Sequence, residues 1–494
     1  MNKTSAAATL LAYVILAAAT LRVLAFWAAD PMLAYANNYD QIRALRTFGL
    51  QPRDAKQELY AATPDQPWRY FVQADKRHTP TYPSSDLLFK SIQYGTMAAF
   101  AHGDGSMDIK VGTAPQLIGW LLGVWLIFRK LTPRPMAALG YAGWMLLVAD
   151  PVNLLFLNTW YAEFSTFAVA TLFVGIAWLW LFDRVSLRSA LIGGATSLIF
   201  ISLSRSQYMF LLPAVALLTG LALALSRPHR ELLAAAPGKL ALLALICLLP
   251  TLVYKTASEQ IRTATSANRI DTVFGALLPA SKDQDRMLER LGLPSGCLQF
   301  SGRNWYDTPT EQYQTHCPKV MSLSLGRIAK ALVGDPTPLV TIIGNIASHH
   351  RGFLQNQLGH IEGSVHARID TGGKMHHQSL DRLLGYFSAS AIHLLLWFSI
   401  LSPALAALAA WGLRQRRWAF VFLLSGLLFN YTLFSSILGD GYFDLARHAM
   451  LCFSFGILFL VLLISFIASG GQKTHGSPPL GESAALDGPR GPTA

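Results

Sequence analysis

Residues 414–468, RQRRWAFVFLLSGLLFNYTLFSSILGDGYFDLARHAMLCFSFGILFLVLLISFIA, decide the fold class. Arg414, Arg416 and Arg417 precede an apolar run over 417–438, and a second run covers 446–468. Each approaches the roughly 20 residues that an α-helix needs to cross hydrocarbon at 1.5 Å rise per residue. Between the runs stands Gly439-Asp440-Gly441-Tyr442-Phe443-Asp444-Leu445-Ala446-Arg447-His448. A pair of spans therefore carries bare positive charge at one end and a mixed acid–base cluster at the other.

The same alternation extends through the chain. Further span-like windows fall near 7–29, 110–128, 136–150, 162–182, 188–204, 207–226, 238–255 and 391–413. The expectation is an all-α polytopic membrane protein with about ten transmembrane helices and two long loops. With 52% hydrophobic and 14% charged residues among 494, the chain is too apolar for an ordinary soluble protein. Its formal charge of +12 does not point to nucleic acid, because the basic residues sit in short loops. Arg129, Lys130 and Arg134 share one loop, Arg184 and Arg188 the next, and Arg227, Arg230 and Lys239 another. Only Asp183 and Glu231 are acids among them, which places these loops, Lys3 and the tail in the cytosol by the positive-inside rule. Domain boundaries follow: a transmembrane domain over 1–468, exoplasmic loops over 30–109 and 256–390, and a Gly/Pro/Ser-rich, disordered cytosolic tail over 469–494. The first apolar window reads as an uncleaved helix, with Arg22 able to snorkel outward or to face the bundle.

Ser84–Ala101, SSDLLFKSIQYGTMAAFA, reads as an amphipathic helix. Leu88, Ile92 and the Met97/Phe100 region form one stripe, Asp86, Lys90 and Gln93 lie off it, and Ser84 and Ser85 are candidate N-caps. It fits either a membrane interface or the surface of a small lobe. Short helices are expected near Lys282–Leu291 and Met321–Val333. Cys297 and Cys317 share the second loop, twenty residues apart, and an oxidising compartment would let them form a disulfide, whereas Cys247 and Cys452 sit inside spans. No cysteine metal motif, P-loop, dinucleotide fingerprint or serine-nucleophile motif is present, and His349, His350, His360, His366, His376 and His377 match no compact zinc ligand set.

The ionisable residues at the exoplasmic ends of the helices carry the functional expectation. Asp40, Asp150, Glu163, Arg205, Asp440, Asp444, Arg447 and His448 all fall there, and charge at the edge of hydrocarbon is usually kept for function. Asp40, just past the first helix and beside amides, suits deprotonation of a hydroxyl or a divalent cation. Arg205 is either an interfacial snorkel or a phosphate grip. Glu163 either favours a helix N-terminus or meets a basic partner such as Arg205. Asp444 and Arg447/His448, three and four residues apart, share a helix face as a structural ion pair or an anion site.

Several strings resemble the GT-C superfamily of integral membrane glycosyltransferases that use polyprenyl-phosphate sugars, in the bacterial branch of hexose transferases for cell-surface glycans. They are Asn37-Asn38-Tyr39-Asp40-Gln41-Ile42-Arg43, Asn158-Thr159-Trp160-Tyr161-Ala162-Glu163, Ser204-Arg205-Ser206-Gln207, the 439–448 cluster, and Val273-Phe274-Gly275 through Leu291-Gly292-Leu293-Pro294. The chain departs from that pattern in carrying Arg205 where Lys is common, and in lacking an Asp-x-Asp pair at Asp40. The resemblance implies an inverting transfer of a sugar from a polyprenyl-phosphate donor to a glycan, lipid or protein hydroxyl, at a bacterial inner membrane and on its periplasmic face. It implies Asp40 as catalytic base, Arg205, Gln207, Asp440, Asp444, Arg447 and His448 at the donor, and Asn38, Tyr161 and Glu163 at the substrate. No cofactor is fixed by the sequence; a divalent cation at Asp40 stays open, and no metal ligand set is assigned. A transporter or flippase of lipid-linked glycans is the competing class, and it would need polar groups deep along several helices rather than at one set of ends.

Overall fold

The structure is a computed structural model that describes residues 3–35, 38–53, 67–74, 84–225, 237–255, 259–305, 307–348, 359–362, 388–442 and 445–468. It is a polytopic all-α membrane protein. Helix α1 (Lys3–Ala28) is followed by strand β1 (Leu33–Tyr35), helix α2 (Asn38–Thr47) and strands β2 (Leu50–Pro52) and β3 (Tyr70–Gln73). Helix α3 (Asp86–Ala99) and strand β4 (Met107–Asp108) lead into α4 (Ile109–Leu131), α5 (Pro135–Val148) and the short α6 (Pro151–Leu154). Then come α7 (Glu163–Leu181), α8 (Leu187–Ser204), a 3-10 turn (Ser206–Tyr208), α9 (Leu211–Ala224) and α10 (Pro237–Lys255). The second loop opens with α11 (Glu259–Ile270) and a π-helical turn (Asp271–Leu277), and continues through α12 (Leu278–Ala280), α13 (Gln284–Leu291), α14 (Thr310–His316), α15 (Leu325–Gly334) and α16 (Thr337–Ser348) to strand β5 (Gly359–Ile361). The last spans are α17 (Ala389–Gly412) and α18 (Arg416–Asp440), then the short α19 (Leu445–His448) and α20 (Met450–Ala468).

Among the described residues, eight helices are long and apolar enough to cross a membrane. They include α1, α4, α7, α8, α17, α18 and α20, with the segment Ser206–Ala224 as the eighth. The expected window 136–150 falls instead on a shorter apolar helix, Pro135–Val148, whereas the window 238–255 coincides with α10 (Pro237–Lys255). Helix α5 stops early because Asp150 caps a new turn that starts at Pro151, its carboxylate accepting from the Val152 N–H at 3.2 Å. Asp150 is thus a buried structural cap.

Helix α7 lies at the centre, buried over most of its length. Its Thr171 hydroxyl accepts from Trp120 Nε1 of α4 at 2.8 Å, and Trp144 of α5 reaches the Ser454 carbonyl of α20 at 3.0 Å. Helix α17 closes on α18 where Gly426 faces Pro403; a Cβ at Gly426 would lie 2.5 Å from the Pro403 Cβ. Arg22 turns into the bundle and donates to the Leu146 carbonyl at 3.3 Å. The basic turns gather at one end: Arg184 donates to the Lys130 carbonyl at 2.8 Å, and Arg417 pairs with Asp183.

At the opposite end the two long loops are sewn together. β1 pairs antiparallel with β5, so that Leu33 faces Ile361 and Tyr35 faces Gly359. Arg69 bridges Asp108 (3.0 Å), Asp30 (3.2 Å) and Glu362 (3.5 Å). A three-stranded sheet in the order β2-β3-β4 shelters beneath α3. In the second loop, Cys297 and Cys317 are joined by a disulfide with a Cα separation of 5.3 Å, beside a stack of Phe274, Phe300 and Tyr313. Asp283 and Ser324 cap α13 and α15. Asn37 and the tail 469–494 lie outside the described residues, as does the histidine-rich stretch apart from the backbone of His360.

Helix α3 presents its two faces unequally. Leu88, Ile92 and Phe100 are exposed, as an interfacial helix requires, while Asp86, Lys90 and Gln93 point inward. Met97, expected on the apolar stripe, is buried against Gly112 of α4, because the close α3–α4 crossing leaves no room for another side chain there. Ser84 and Ser85 stitch this helix to α8: their hydroxyls donate to the carbonyls of Ser204 at 2.8 Å and Phe200 at 2.7 Å. Ser84 also accepts from the Asp86 N–H at 3.1 Å. Ser85 occupies the N-cap position without a capping hydrogen bond.

Candidate functional site

A cavity of ≈ 880 Å3 opens where α7 and α20 begin and α8, α10 and α18 end, with α2, α3 and α11 closing its sides. Its polar centre is Glu163, the first residue of α7 and only 2% exposed. Arg205, the residue after α8, brings Nη1 to 3.0 Å from Glu163 Oε1. Arg447 of α19 brings Nε to 3.6 Å from that same oxygen. Two guanidiniums thus converge on one carboxylate oxygen. Arg447 is braced by the rings of Tyr161 and Tyr35, 5.4 and 5.8 Å from its Cζ.

His448 completes the cluster. Its Nε2 lies 2.6 Å from Asp440 Oδ2 and 3.2 Å from Arg447 Nη2; its Nδ1 lies 2.9 Å from Gln207 Oε1 and 3.1 Å from Arg205 Nη2. Each ring nitrogen faces one oxygen acceptor and one guanidinium, so the ring is fixed in either tautomer. Its carbonyl accepts from Gln207 Nε2 at 3.0 Å and Ser436 Oγ at 2.8 Å, which ties α19 to α18 and to the 3-10 turn after α8. Beside this polar centre the wall is apolar: Met209, Phe210, Leu427 and Phe434 line it, and the Tyr431 hydroxyl donates to the Gln207 carbonyl at 2.9 Å.

Of the residues singled out from sequence, Tyr161, Glu163, Arg205, Gln207, Asp440, Arg447 and His448 all line this one cavity. Asn38 and Asp40 begin helix α2, and their side chains lie outside the described residues, as does Asp444 entirely. Asn158 does not line the cavity: it is buried, and its amide donates to the Leu33 carbonyl at 3.2 Å. Among the described residues, no group of three or more His, Cys, Asp or Glu side chains is arranged to hold a metal.

The cavity also holds charges that the sequence reading left out. Asp86 and Lys90, one turn apart on α3, are both buried in its wall. Asp86 accepts from the Ser165 hydroxyl at 2.5 Å, and Lys90 donates to Gln93 Oε1 at 3.1 Å and to the Thr159 carbonyl at 3.2 Å. Burial pushes the Asp86 carboxyl up and the Lys90 ammonium down, each partly offset by the other's charge. On the second loop, Arg269 and Asp271 reach the cavity from the end of α11 and the start of the π-helical turn. Gly441, at φ +61°, makes that contact: a Cβ there would lie 2.4 Å from the Asp271 carbonyl oxygen. Thr272 adds a hydrogen bond to the Leu438 carbonyl at 3.1 Å. Burial, with the charges of Asp440 and Asp307, pushes the Asp271 carboxyl up to about 7 against the pull of the Trp305 N–H.

The family model described as the YfdI N-terminal transmembrane domain matches residues 1–476. The chain belongs to the YfdI N-terminal transmembrane domain family. Among the described residues, that match takes in every helix of this YfdI-family chain that is long and apolar enough to cross a membrane, together with both loops that close the cavity. No curated protein and no solved structure matches the chain.

Proposed function

We propose that this chain is a membrane glycosyltransferase of GT-C type. It transfers a sugar from a polyprenyl-phosphate donor to a hydroxyl of a glycan, lipid or protein. The observation that carries the reading is the convergence of Arg205 and Arg447 on one Glu163 oxygen beside an apolar wall. A pair of guanidinium forks suits phosphate, and the wall of Met209, Phe210, Leu427 and Phe434 suits the first isoprene units of its chain. A lipid-borne donor needs no nucleotide-binding fold.

In an inverting displacement the acceptor oxygen attacks the anomeric carbon, the bond to the phosphate oxygen breaks, and a base takes the hydroxyl proton. Arg205, Arg447 and His448 stabilise the charge that develops on the departing phosphate, with Asp440 and Gln207 orienting the imidazole. Asp40 is the assigned base. Its position in α2, one and two turns before the cavity-lining Ala44 and Thr47, supports that role. Asp444 extends the donor site, and Tyr161, Glu163 and Asn38 contact the sugar. The basic turns at the other end, read by the positive-inside rule, support a cavity that opens away from the cytosol, on the periplasmic face if the membrane is a bacterial inner membrane.

The test is release of labelled hexose from a polyprenyl-phosphate hexose by purified chain in nanodiscs. Transfer to an added glycan supports the reading. Movement of intact lipid-linked sugar across the bilayer without release supports a flippase instead.

A further inference from the structure

Asp271 stands apart from the other carboxylates of the cavity. It is only 3% exposed, and one oxygen is fixed by the Trp305 N–H at 2.6 Å. The other oxygen remains accessible and has no hydrogen-bond partner among the described residues. Arg269, two residues earlier, is nearly as buried and lines the same wall. Its Nε donates to the Leu323 carbonyl at 2.9 Å, and among the described residues no carboxylate pairs with it. A buried carboxyl and a buried guanidinium that pair neither with each other nor with another charge are costly unless a ligand supplies partners. Both belong to the second loop, and Asn268 and Thr265 continue their polar wall along α11. The apolar wall that suits an isoprenoid chain is built by α18 and the turn before α9.

We propose that this loop-side wall, centred on Asp271 with Arg269 and Asn268, is the acceptor subsite, and that it takes a polyhydroxylated, carbohydrate acceptor. The inference rests on the glycosyltransferase reading and adds to it where the acceptor binds. The open Asp271 oxygen accepts a hydrogen bond from an acceptor hydroxyl, while the Trp305 N–H holds its partner oxygen still. The groups facing Asp271 are Asp440 from α18, Asp307 from the loop after residue 300, and the Tyr313 phenol. Burial, helped by the acidic neighbours, keeps the carboxyl partly protonated near neutral pH. The ionised form accepts the stronger, charge-assisted bond, so acceptor affinity rises with pH through about 7.

The experiment uses the full chain in nanodiscs, with polyprenyl phosphate as donor-site probe and glycans extracted from the cells that make the protein as acceptor probe. Asp271→Asn keeps the carbonyl that meets the Trp305 N–H. It is expected to leave polyprenyl phosphate affinity within about twofold, to raise the acceptor KM about tenfold or more, and to flatten the pH dependence of that KM, which in the unaltered chain falls up to about tenfold between pH 6 and 8. A second measurement stands without turnover: carbodiimide labelling of Asp271 in the unaltered chain is expected to be blocked by the glycans and not by polyprenyl phosphate. Unchanged acceptor KM, equal losses at donor and acceptor, or labelling that the glycans do not block would overturn the assignment. Glycan protection with no hexose release would instead leave the subsite standing and remove the transfer reaction.

Discussion

Removing Arg205 and removing Glu163 should move donor affinity in opposite directions. Arg205 lies 3.0 Å from Glu163 Oε1 and 3.1 Å from His448 Nδ1, at the centre of the cavity. Arg205→Ala leaves Arg447 alone with Glu163, so the phosphate loses one of its two guanidiniums. A charge-assisted hydrogen bond contributes about 1.5–3 kcal/mol, which corresponds to roughly 10- to 150-fold weaker binding of polyprenyl phosphate. Glu163→Gln has the reverse sign, because it removes a negative charge beside the anion and leaves both guanidiniums in place. That variant should lose on the order of 3–5 kcal/mol of stability in the empty state, since two buried cations lose their shared partner. It should regain much of this when polyprenyl phosphate is added, because a ligand that binds only the folded form stabilises it. The assay is equilibrium binding of labelled polyprenyl phosphate in nanodiscs, alongside thermal midpoints with and without ligand. Arg205→Ala binding as tightly as the unaltered chain, or Glu163→Gln weakened to the same degree as Arg205→Ala, would refute a phosphate at this pair.

Asp40→Asn should abolish transfer while leaving polyprenyl phosphate affinity within about twofold, since Asn keeps the shape and cannot take the proton; retained transfer would move the base elsewhere. A cysteine at position 414, with Cys247 and Cys452 replaced by Ser, should resist a membrane-impermeant maleimide in intact cells, and ready labelling would invert the topology. The ionisation of Asp271 bears on stability as well. Its folded value of about 7 lies above the ordinary carboxylate value, so its contribution is fully present below pH 4 and is lost as the pH rises to about 7. Asp271→Asn should therefore be more stable than the unaltered chain at pH 8 and not at pH 4, by on the order of a few kcal/mol and read as a raised thermal midpoint; an offset independent of pH would contradict a raised Asp271.

The spans were legible because continuous apolar runs need no knowledge of tertiary contacts, and the arginine-bearing turns gave them a common polarity. The window 136–150 shows the limit: Asp150-Pro151 ends α5 through a cap and a ring, and hydropathy alone does not register either. Glu163, Arg205 and the 440–448 cluster stood out because each is an ionisable group at the edge of an apolar run. Asp86 and Lys90 gave the opposite impression. Their periodicity marks a polar face of α3, and a polar face ordinarily meets water, whereas here the apolar side is the exposed one and the polar side lines the cavity. Asp271 and Arg269 sit in a segment without strong periodicity, and their approach to Asp440 depends on Gly441 lying against the Asp271 backbone, a contact between residues 170 positions apart. The positive φ of Gly441 was foreshadowed by the glycines around Asp440, but its partner was not.

The most direct measurement is hexose transfer from a radiolabelled polyprenyl-phosphate hexose by the purified chain in nanodiscs, run beside Arg447→Ala. The account predicts release of the hexose and its appearance on an added glycan, with a loss of at least tenfold in kcat/KM for Arg447→Ala. Absence of release from the folded, unaltered chain, or transfer that survives Arg447→Ala undiminished, would contradict it.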